Sequence, residues 1–372
     1  MRLYYVVSAS LPHKKAYGIQ IAKMCEAFIE AGVDLTLVVP RTRAARISSM
    51  REFYGLRVDV PTVTLPAIDG FARGRSSFVL SSLVFMCTNL IYLWWKSLTG
   101  KRGVVYTVDM DTFSFSLLPL SGMPVVTEMH EPKPANTLTR FFFRRARVIA
   151  TNPEIQHALT KTFHIPPSRI IVEPNGVDLE LFSRTLSRED ARKCLALPAA
   201  ARIVLYVGRF FDWKGLGILV EAATAAPEIA WYVVGGAPEE FRAVTGKITL
   251  PPNLYIAGES SHNDVSVWLA AADCLLVLGT KRNEQSFRNT APMKVFEYMA
   301  ARRPVVASGT PALKSFIPSD DVLWYEPDDV ASLTAAVRRG ISAEGAVNLE
   351  NAYRAAELHT WLKRAEHIRR YI

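Results

Sequence analysis

A lysine and a glutamate three residues apart, Lys294 and Glu297, stand in the run Asn289-Thr290-Ala291-Pro292-Met293-Lys294-Val295-Phe296-Glu297-Tyr298-Met299-Ala300. That spacing puts both on one face of a helix. A cation for phosphate beside a carboxylate that accepts from sugar hydroxyls would clamp a nucleotide sugar. The plain alternative is an exposed ion pair on a surface helix. Thr290 is expected as the N-cap, with Pro292 in the first turn, so the helix start would itself attract phosphate. The apolar run 304–307 directly afterwards places this helix start at the ligand edge of a sheet. A second cationic pair, Arg209 and Lys214, follows Gly208 in Val207-Gly208-Arg209-Phe210-Phe211-Asp212-Trp213-Lys214-Gly215. The glycine lets the backbone turn sharply where open α/β sheets bind ligands, and two cations there suit a diphosphate. A surface loop with incidental charges is the competing reading.

Histidine could add acid–base chemistry. Thr127-Glu128-Met129-His130-Glu131 ends a predicted strand, and by itself His130 reads as a hydrogen-bonding loop residue. His13-Lys14-Lys15 follows the first predicted strand, where it could touch an acceptor phosphate. The remaining histidines (His157, His164, His262, His359 and His367) share no metal-ligand spacing with these two, and no Asp-x-Asp site stands out. No metal and no cofactor are expected.

The elements that must carry these residues alternate. Strand-like apolar runs at 3–7, 35–39, 58–64, 104–108, 124–127, 148–151 and 170–172 are separated by helical patterns, notably 19–30 and 152–163. The second half repeats the style, with runs at 203–207, 231–234, 254–257, 274–278, 304–307 and 322–325 and a helix over 217–226. Strands alternating with helices imply βαβ units and a mostly parallel sheet. The simplest arrangement is two doubly wound halves. A polar, charged stretch over 182–199 reads as the linker, and 347–372 as a closing helix. Residues 78–95 carry no charge and are long enough to be a transmembrane candidate. Strands are expected on both sides of them, so a buried or membrane-facing helix is the better reading.

Composition sets the outer limits. A length of 372 residues predicts about two domains. Apolar residues at 49% suit a sizeable core and exclude a disordered chain. Four scattered cysteines (Cys25, Cys87, Cys194 and Cys274) with no C-x-x-C pair argue against a zinc ribbon or a disulfide framework and suit a reducing compartment. No signal peptide precedes the first strand, so a cytoplasmic protein is expected. The net charge is +9, and residues 1–180 hold 21 basic against 14 acidic groups. The excess points to an anionic partner for the first half. Nucleic acid is the poorest fit, because finger spacings, RNP-type motifs and long basic helices are missing.

Taken in order, these motifs resemble those of the GT-B glycosyltransferases, specifically the retaining family 4, and the resemblance covers nearly the whole chain. Asn175-Gly176-Val177-Asp178 matches its P-N-G-V-D element. Gly208-Arg209 with Lys214-Gly215 matches G-R…K-G. Ala270-Ala271-Ala272-Asp273 matches A-x-A-D. Pro292 through Ala300, then Arg303-Pro304-Val305-Val306-Ala307-Ser308, matches the E-x-M-A-x-G-x-P-V-V-A-S region.

The resemblance implies an α/β fold of two doubly wound Rossmann-like domains facing across a cleft (GT-B), with a C-terminal helix crossing back to the first domain. The expected divisions are an acceptor domain over 1–185, a nucleotide-sugar domain over 186–346 and the returning helix over 347–372. It implies a metal-independent, retaining glycosyltransferase with a nucleotide diphosphate sugar as co-substrate. Catalytic roles fall to His130, Arg209, Lys214 and Glu297. Donor contacts fall to Gly208, Asn289, Thr290, Pro292, Met293 and Lys294, with Glu284 as a substitute from the preceding loop. The acceptor side of the cleft falls to His13, Lys14, Gly18, Glu131 and Asn175. The sequence departs from the family at Asn289, where the first of two paired glutamates is usual, at Arg302-Arg303, and in an N-terminal glycine loop reduced to Tyr17-Gly18.

The acceptor is expected to be a lipid-linked saccharide or glycolipid in glycan or polysaccharide assembly, met at the cytoplasmic face of an anionic membrane. The basic first half, the uncharged helix over 78–95 and Arg140-Phe141-Phe142-Phe143-Arg144-Arg145 all bear on it, although Phe141–Phe143 as core is the plain reading of that cluster. A non-catalytic partner subunit of the same fold and a transferase with a soluble acceptor are the alternatives.

Overall fold

The computed structural model describes residues 1–13, 15–41, 49–68, 74–109, 111–183, 186–342 and 348–372. Lys14 lies outside them. The chain divides into two compact units, Met1–Asn175 with Trp361–Ile372, and Gly176–Thr360.

Apolar runs rich in Val, Ile, Leu and Tyr build the sheet of the first unit: β1 (Arg2–Val6), β2 (Asp34–Pro40), β3 (Thr62–Leu65), β4 (Val104–Val108), β5 (Val125–Met129), β6 (Arg147–Ala150) and β7 (Ile170–Val172). They lie in the order β3-β2-β1-β4-β5-β6-β7, and every pairing is parallel. Runs with almost no polar break, such as the fully buried β5, are what a parallel sheet covered on both faces requires. β3 is shorter than the run 58–64 suggested. Pro61 has no N–H to give the ladder, and its carbonyl accepts from Leu37 N at 2.8 Å, so the strand starts after it.

The second unit repeats the plan with β8 (Ile203–Val207), β9 (Ala230–Val234), β10 (Leu254–Ile256), β11 (Cys274–Val277), β12 (Val305–Ser308) and β13 (Leu323–Tyr325). Their order is β10-β9-β8-β11-β12-β13, again parallel throughout. Strand order reverses between β1 and β4 in one sheet and between β8 and β11 in the other. Ligands of doubly wound sheets bind outside the strand carboxyl ends at such switch points.

Two expectations change. The stretch read as a linker holds two short helices, Leu179–Ser183 and Arg188–Cys194, and belongs to the second unit. Its charge has a structural use. Arg192 is buried and donates to Asp273 Oδ2 at 2.7 Å, to Ala271 O at 2.9 Å and to Ala199 O at 2.6 Å. Asp273 also accepts from Arg188 and from Ile203 N, so the A-x-A-D element ties this segment to the start of β8. The closing segment is two helices rather than one. Leu349–Leu358 packs on Lys294–Ala300 in the second unit, whereas Trp361–Tyr371 packs on Ala16–Glu30 in the first. The chain breaks at Thr360, which forms a parallel bridge with Val177 while Val177 N donates to His359 O at 2.9 Å.

Residues 78–95 lie within one helix, Arg75–Leu98. By length and composition it could cross a membrane, but its inner face (Ser81, Ser82, Phe85, Met86, Asn89 and Leu93) is built into the first unit. Its outer face leaves Leu80, Leu83, Ile91, Trp94 and Leu98 exposed at helical spacing. The aromatic–arginine cluster divides differently. Phe142 and Phe143 are wholly buried, Phe142 edge-on to Phe115 at 4.4 Å, so of the aromatics only Phe141, half-buried under the Arg145 guanidinium, stays near the surface with the arginines.

Candidate functional site

In the second unit the switch point is built around the end of β8. Gly208 holds φ at +150°, and a Cβ there would come within 2.8 Å of Lys294 Nζ. Only glycine lets the chain turn out of β8 and leave the lysine its place. Lys294 donates to Val207 O at 2.6 Å and lies 4.0 Å from the centre of the Tyr206 ring. Lys214 closes from the other side. It donates to Arg209 O at 2.9 Å and sits over the rings of Phe211 and Trp213, 4.9 and 5.4 Å from their centres. Arg209 itself is exposed.

The two lysines share a consequence. Burial, then the charge of Arg209, brings Lys214 down to about 8. Lys294 falls well below the ordinary lysine range, first through burial and then through the charge of Lys214, with Glu297 opposing. Glu297 moves the other way, pushed up to about 7 by burial, with Asp178 adding to the rise and Lys294 working against it. Amines that pay this much to stay charged are set for a partner carrying compensating negative charge.

The neighbouring loops supply the remaining expected residues. Asn289 follows the short helix Glu284–Phe287, and its N–H donates to Gln285 O at 3.2 Å. Glu284 is exposed and paired with Arg288 at 3.4 Å. Thr290 is not the cap that the sequence suggested. The next helix begins at Lys294, with Met293 in the cap position already at helical dihedrals and no side-chain cap. Pro292 lies ahead of the first turn, its carbonyl accepting from Val295 N at 3.3 Å. The chain turns helical directly out of Pro292 and Met293, so the element is only seven residues long.

In the first unit, His130 stands just past the end of β5, its Nε2 2.7 Å from Glu128 Oε1. Glu128 is fully buried. Burial favours its neutral form, yet Arg364 and His130 outweigh that and hold it at about 2. For His130, burial disfavours the charged ring, but the Glu128 hydrogen bond and charge, with Asp109, win and raise it above the ordinary histidine range. Glu131 is held by Lys133 Nζ at 2.8 Å, and Lys133 also pairs with Asp109 at 3.3 Å. Tyr54 locks His13 by accepting from its N–H and donating to its carbonyl, both at 2.8 Å. Gly18 packs against both: a Cβ there would fall 2.7 Å from the His13 ring. Asn175 is buried where the chain leaves the first unit.

Sequence reasoning missed Glu128, Tyr106, Gln20 and Arg364. Glu128 was within reach, because a residue two before His130 on a strand shares its face. Arg364 had no signal among the many charges of the last helix. Among the described residues no group of three or more His, Cys, Asp and Glu side chains could hold a metal ion.

Two parallel doubly wound units in one chain, with the last helix returned to the first, define the GT-B fold. A family model described as Glycosyltransferase Family 4 matches residues 18–181, and one described as Glycosyl transferases group 1 matches residues 201–343. The chain belongs to glycosyltransferase family 4. It is 29% identical over 154 residues to the D-inositol 3-phosphate glycosyltransferase of Mycobacterium tuberculosis, a match spanning 40% of this chain and 30% of that relative. Among solved structures it is similar to the sucrose-phosphate synthase of Thermosynechococcus elongatus (TM-score 0.77, 20% identity, 100% of this chain and 98% of that one). It is also similar to HepE of Anabaena in complex with UDP and glucose (TM-score 0.72, 16% identity, 100% and 98%).

Proposed function

We propose that the protein transfers a glycosyl group, with retention, from a nucleotide diphosphate sugar to a lipid-linked saccharide or glycolipid at an anionic membrane surface. The observation that carries the donor half is the convergence of Lys214 and Lys294 on the end of β8, both held below the ordinary lysine range by burial and by a neighbouring positive charge. In this reading Arg209, Lys214 and Lys294 neutralise the donor diphosphate, and Glu297 and Asn289 accept from sugar hydroxyls. As the anomeric carbon–phosphate oxygen bond breaks, charge grows on the leaving diphosphate, and preset cations stabilise it there. The acceptor oxygen bonds the anomeric carbon on the same face, and its proton passes to the leaving phosphate oxygen, so no separate carboxylate base is needed. His130 serves the reaction from the first unit, with His13, Gly18, Glu131 and Asn175 on the acceptor side.

The acceptor half rests on the outer face of the helix Arg75–Leu98. Leu80, Leu83, Ile91, Trp94 and Leu98 form an apolar row along most of its length, ended by Lys96, Lys101 and Arg102. Apolar rows with basic ends lie well in the interface of an anionic bilayer.

A panel of nucleotide sugars read by thermal shift, followed by transfer assays with lipid-linked and soluble acceptors, tests both halves. Asn289 in place of a glutamate favours one second reading, a non-catalytic subunit of the same fold. Donor hydrolysis or transfer by the isolated chain excludes it.

A further inference from the structure

We propose that Arg364 and Glu128 are a positioning pair for His130, which makes the returning helix Trp361–Tyr371 a working part of the first unit's reactive side. The inference deepens the reading of His130 given above and rests on it. Glu128 is saturated. Its Oε1 accepts from Gln20 Nε2 at 2.8 Å, lies 2.9 Å from Arg364 Nη2 and takes His130 Nε2 at 2.7 Å. Its Oε2 accepts from Arg364 Nη1 at 3.0 Å and from the Tyr106 hydroxyl. Arg364 is equally committed: Nε donates to Pro174 O at 2.7 Å, Nη2 to Glu173 O at 3.2 Å, and Nη1 also meets Met24 Sδ at 3.0 Å. With the Nη2–Glu128 Oε1 ion pair, each of the three guanidinium nitrogens is engaged. Both side chains are almost wholly buried.

The chemistry follows from the carboxylate's charge. An ionised Glu128 only accepts, so the His130 nitrogen facing it must carry hydrogen in either protonation state. Neutral His130 is therefore the Nε2–H tautomer, with Nδ1 as its free acceptor. The ring's hydrogen-bonding sense is thus set by a residue of the last helix acting through Glu128. The groups that bear on the ring are Glu128 on β5, Asp109 after β4, Lys133 in the following loop (paired with Asp109 and Glu131), Tyr106 on β4 and Arg364 on the last helix. Tyr17, on the helix Ala16–Glu30, adds a hydroxyl that donates to Val108 O.

The test is a 15N-detected titration of the His130 ring in the full chain, run beside steady-state transfer and donor binding. Glu128→Gln should lower the His130 midpoint by about one pH unit and lose the single Nε2–H tautomer. It should also cut kcat about tenfold or more while leaving donor affinity unchanged. Arg364→Lys should give an intermediate result. Arg364→Met alone leaves a buried charge without its partner, so the double variant Glu128→Gln with Arg364→Met keeps the question open to measurement by restoring the melting temperature without restoring the tautomer. An unchanged midpoint and tautomer in a folded Glu128→Gln variant would overturn the proposal. Failure of the underlying reading looks different: His130→Ala would then turn over normally while the titration still responded to Glu128.

Discussion

Raising the pH should weaken donor binding, and Lys214 sets where. Its amine is brought down to about 8 by burial and by the charge of Arg209. At that value roughly nine-tenths of Lys214 is protonated at about pH 7 and roughly one-tenth at about pH 9. A nucleotide sugar has no diphosphate proton to lose in this range, so the change belongs to the protein. Bound diphosphate favours the charged amine and returns it toward the ordinary lysine range of about 10.4. The sign is therefore tight binding below about pH 8 and loss above it, with affinity falling about tenfold from pH 7 to 9, or about 1.4 kcal/mol. Lys294, lowered for the same reasons, makes the fall steeper. Calorimetry in buffers of different ionisation enthalpy should find about half a proton or more taken up per donor near pH 8. Lys214→Arg, whose guanidinium keeps its charge, should bind donor with a shallower slope and smaller uptake. Affinity that stays level between pH 7 and 9 in the parent, or an equal slope in Lys214→Arg, would refute the reasoning.

Other consequences can be checked by simpler means. Gly208→Ala places a Cβ at φ +150° and against Lys294, so denaturant unfolding should show a loss of about 1–3 kcal/mol, with donor affinity reduced as well. Glu297 sits at about 7 because it is buried. A raised carboxyl supports the fold most fully below the ordinary glutamate range and loses that support as pH rises through its own value. Glu297→Gln should then equal the parent in stability near pH 4 and exceed it by about 3 kcal/mol at pH 8, while losing affinity for the donor sugar; equal curves at both pH values would contradict this. On the outer face of Arg75–Leu98, Ile91→Glu and Leu98→Glu should each reduce sedimentation with anionic vesicles severalfold without lowering the melting temperature. Equal, negligible binding of the parent to anionic and neutral vesicles would favour a soluble acceptor.

Much of this protein is determined by its sequence alone. The alternation of apolar runs and helical patterns is local, and most of the thirteen strands among the described residues lie within two residues of where those runs place them. Parallel strands buried on both faces have to be nearly continuous in Val, Ile and Leu, and that pattern survives any packing. The placing of Gly208, Lys214, Lys294 and Glu297 was legible for a related reason: it follows from position relative to one strand end and one helix face, both short-range properties. Tertiary structure decided what depends on partners distant in the chain. Arg192 looked like linker charge until Asp273 lay beside it, 81 residues on, and Phe142 could be read as membrane-facing or as core until Phe115 met it edge-on. The protonation states of Lys214, Lys294 and Glu297 come from desolvation, which no residue type encodes. The link from Arg364 through Glu128 to His130 spans 236 residues between its charged partners. It exists only because the last helix leaves the second unit at Thr360 and buries its arginine in the first.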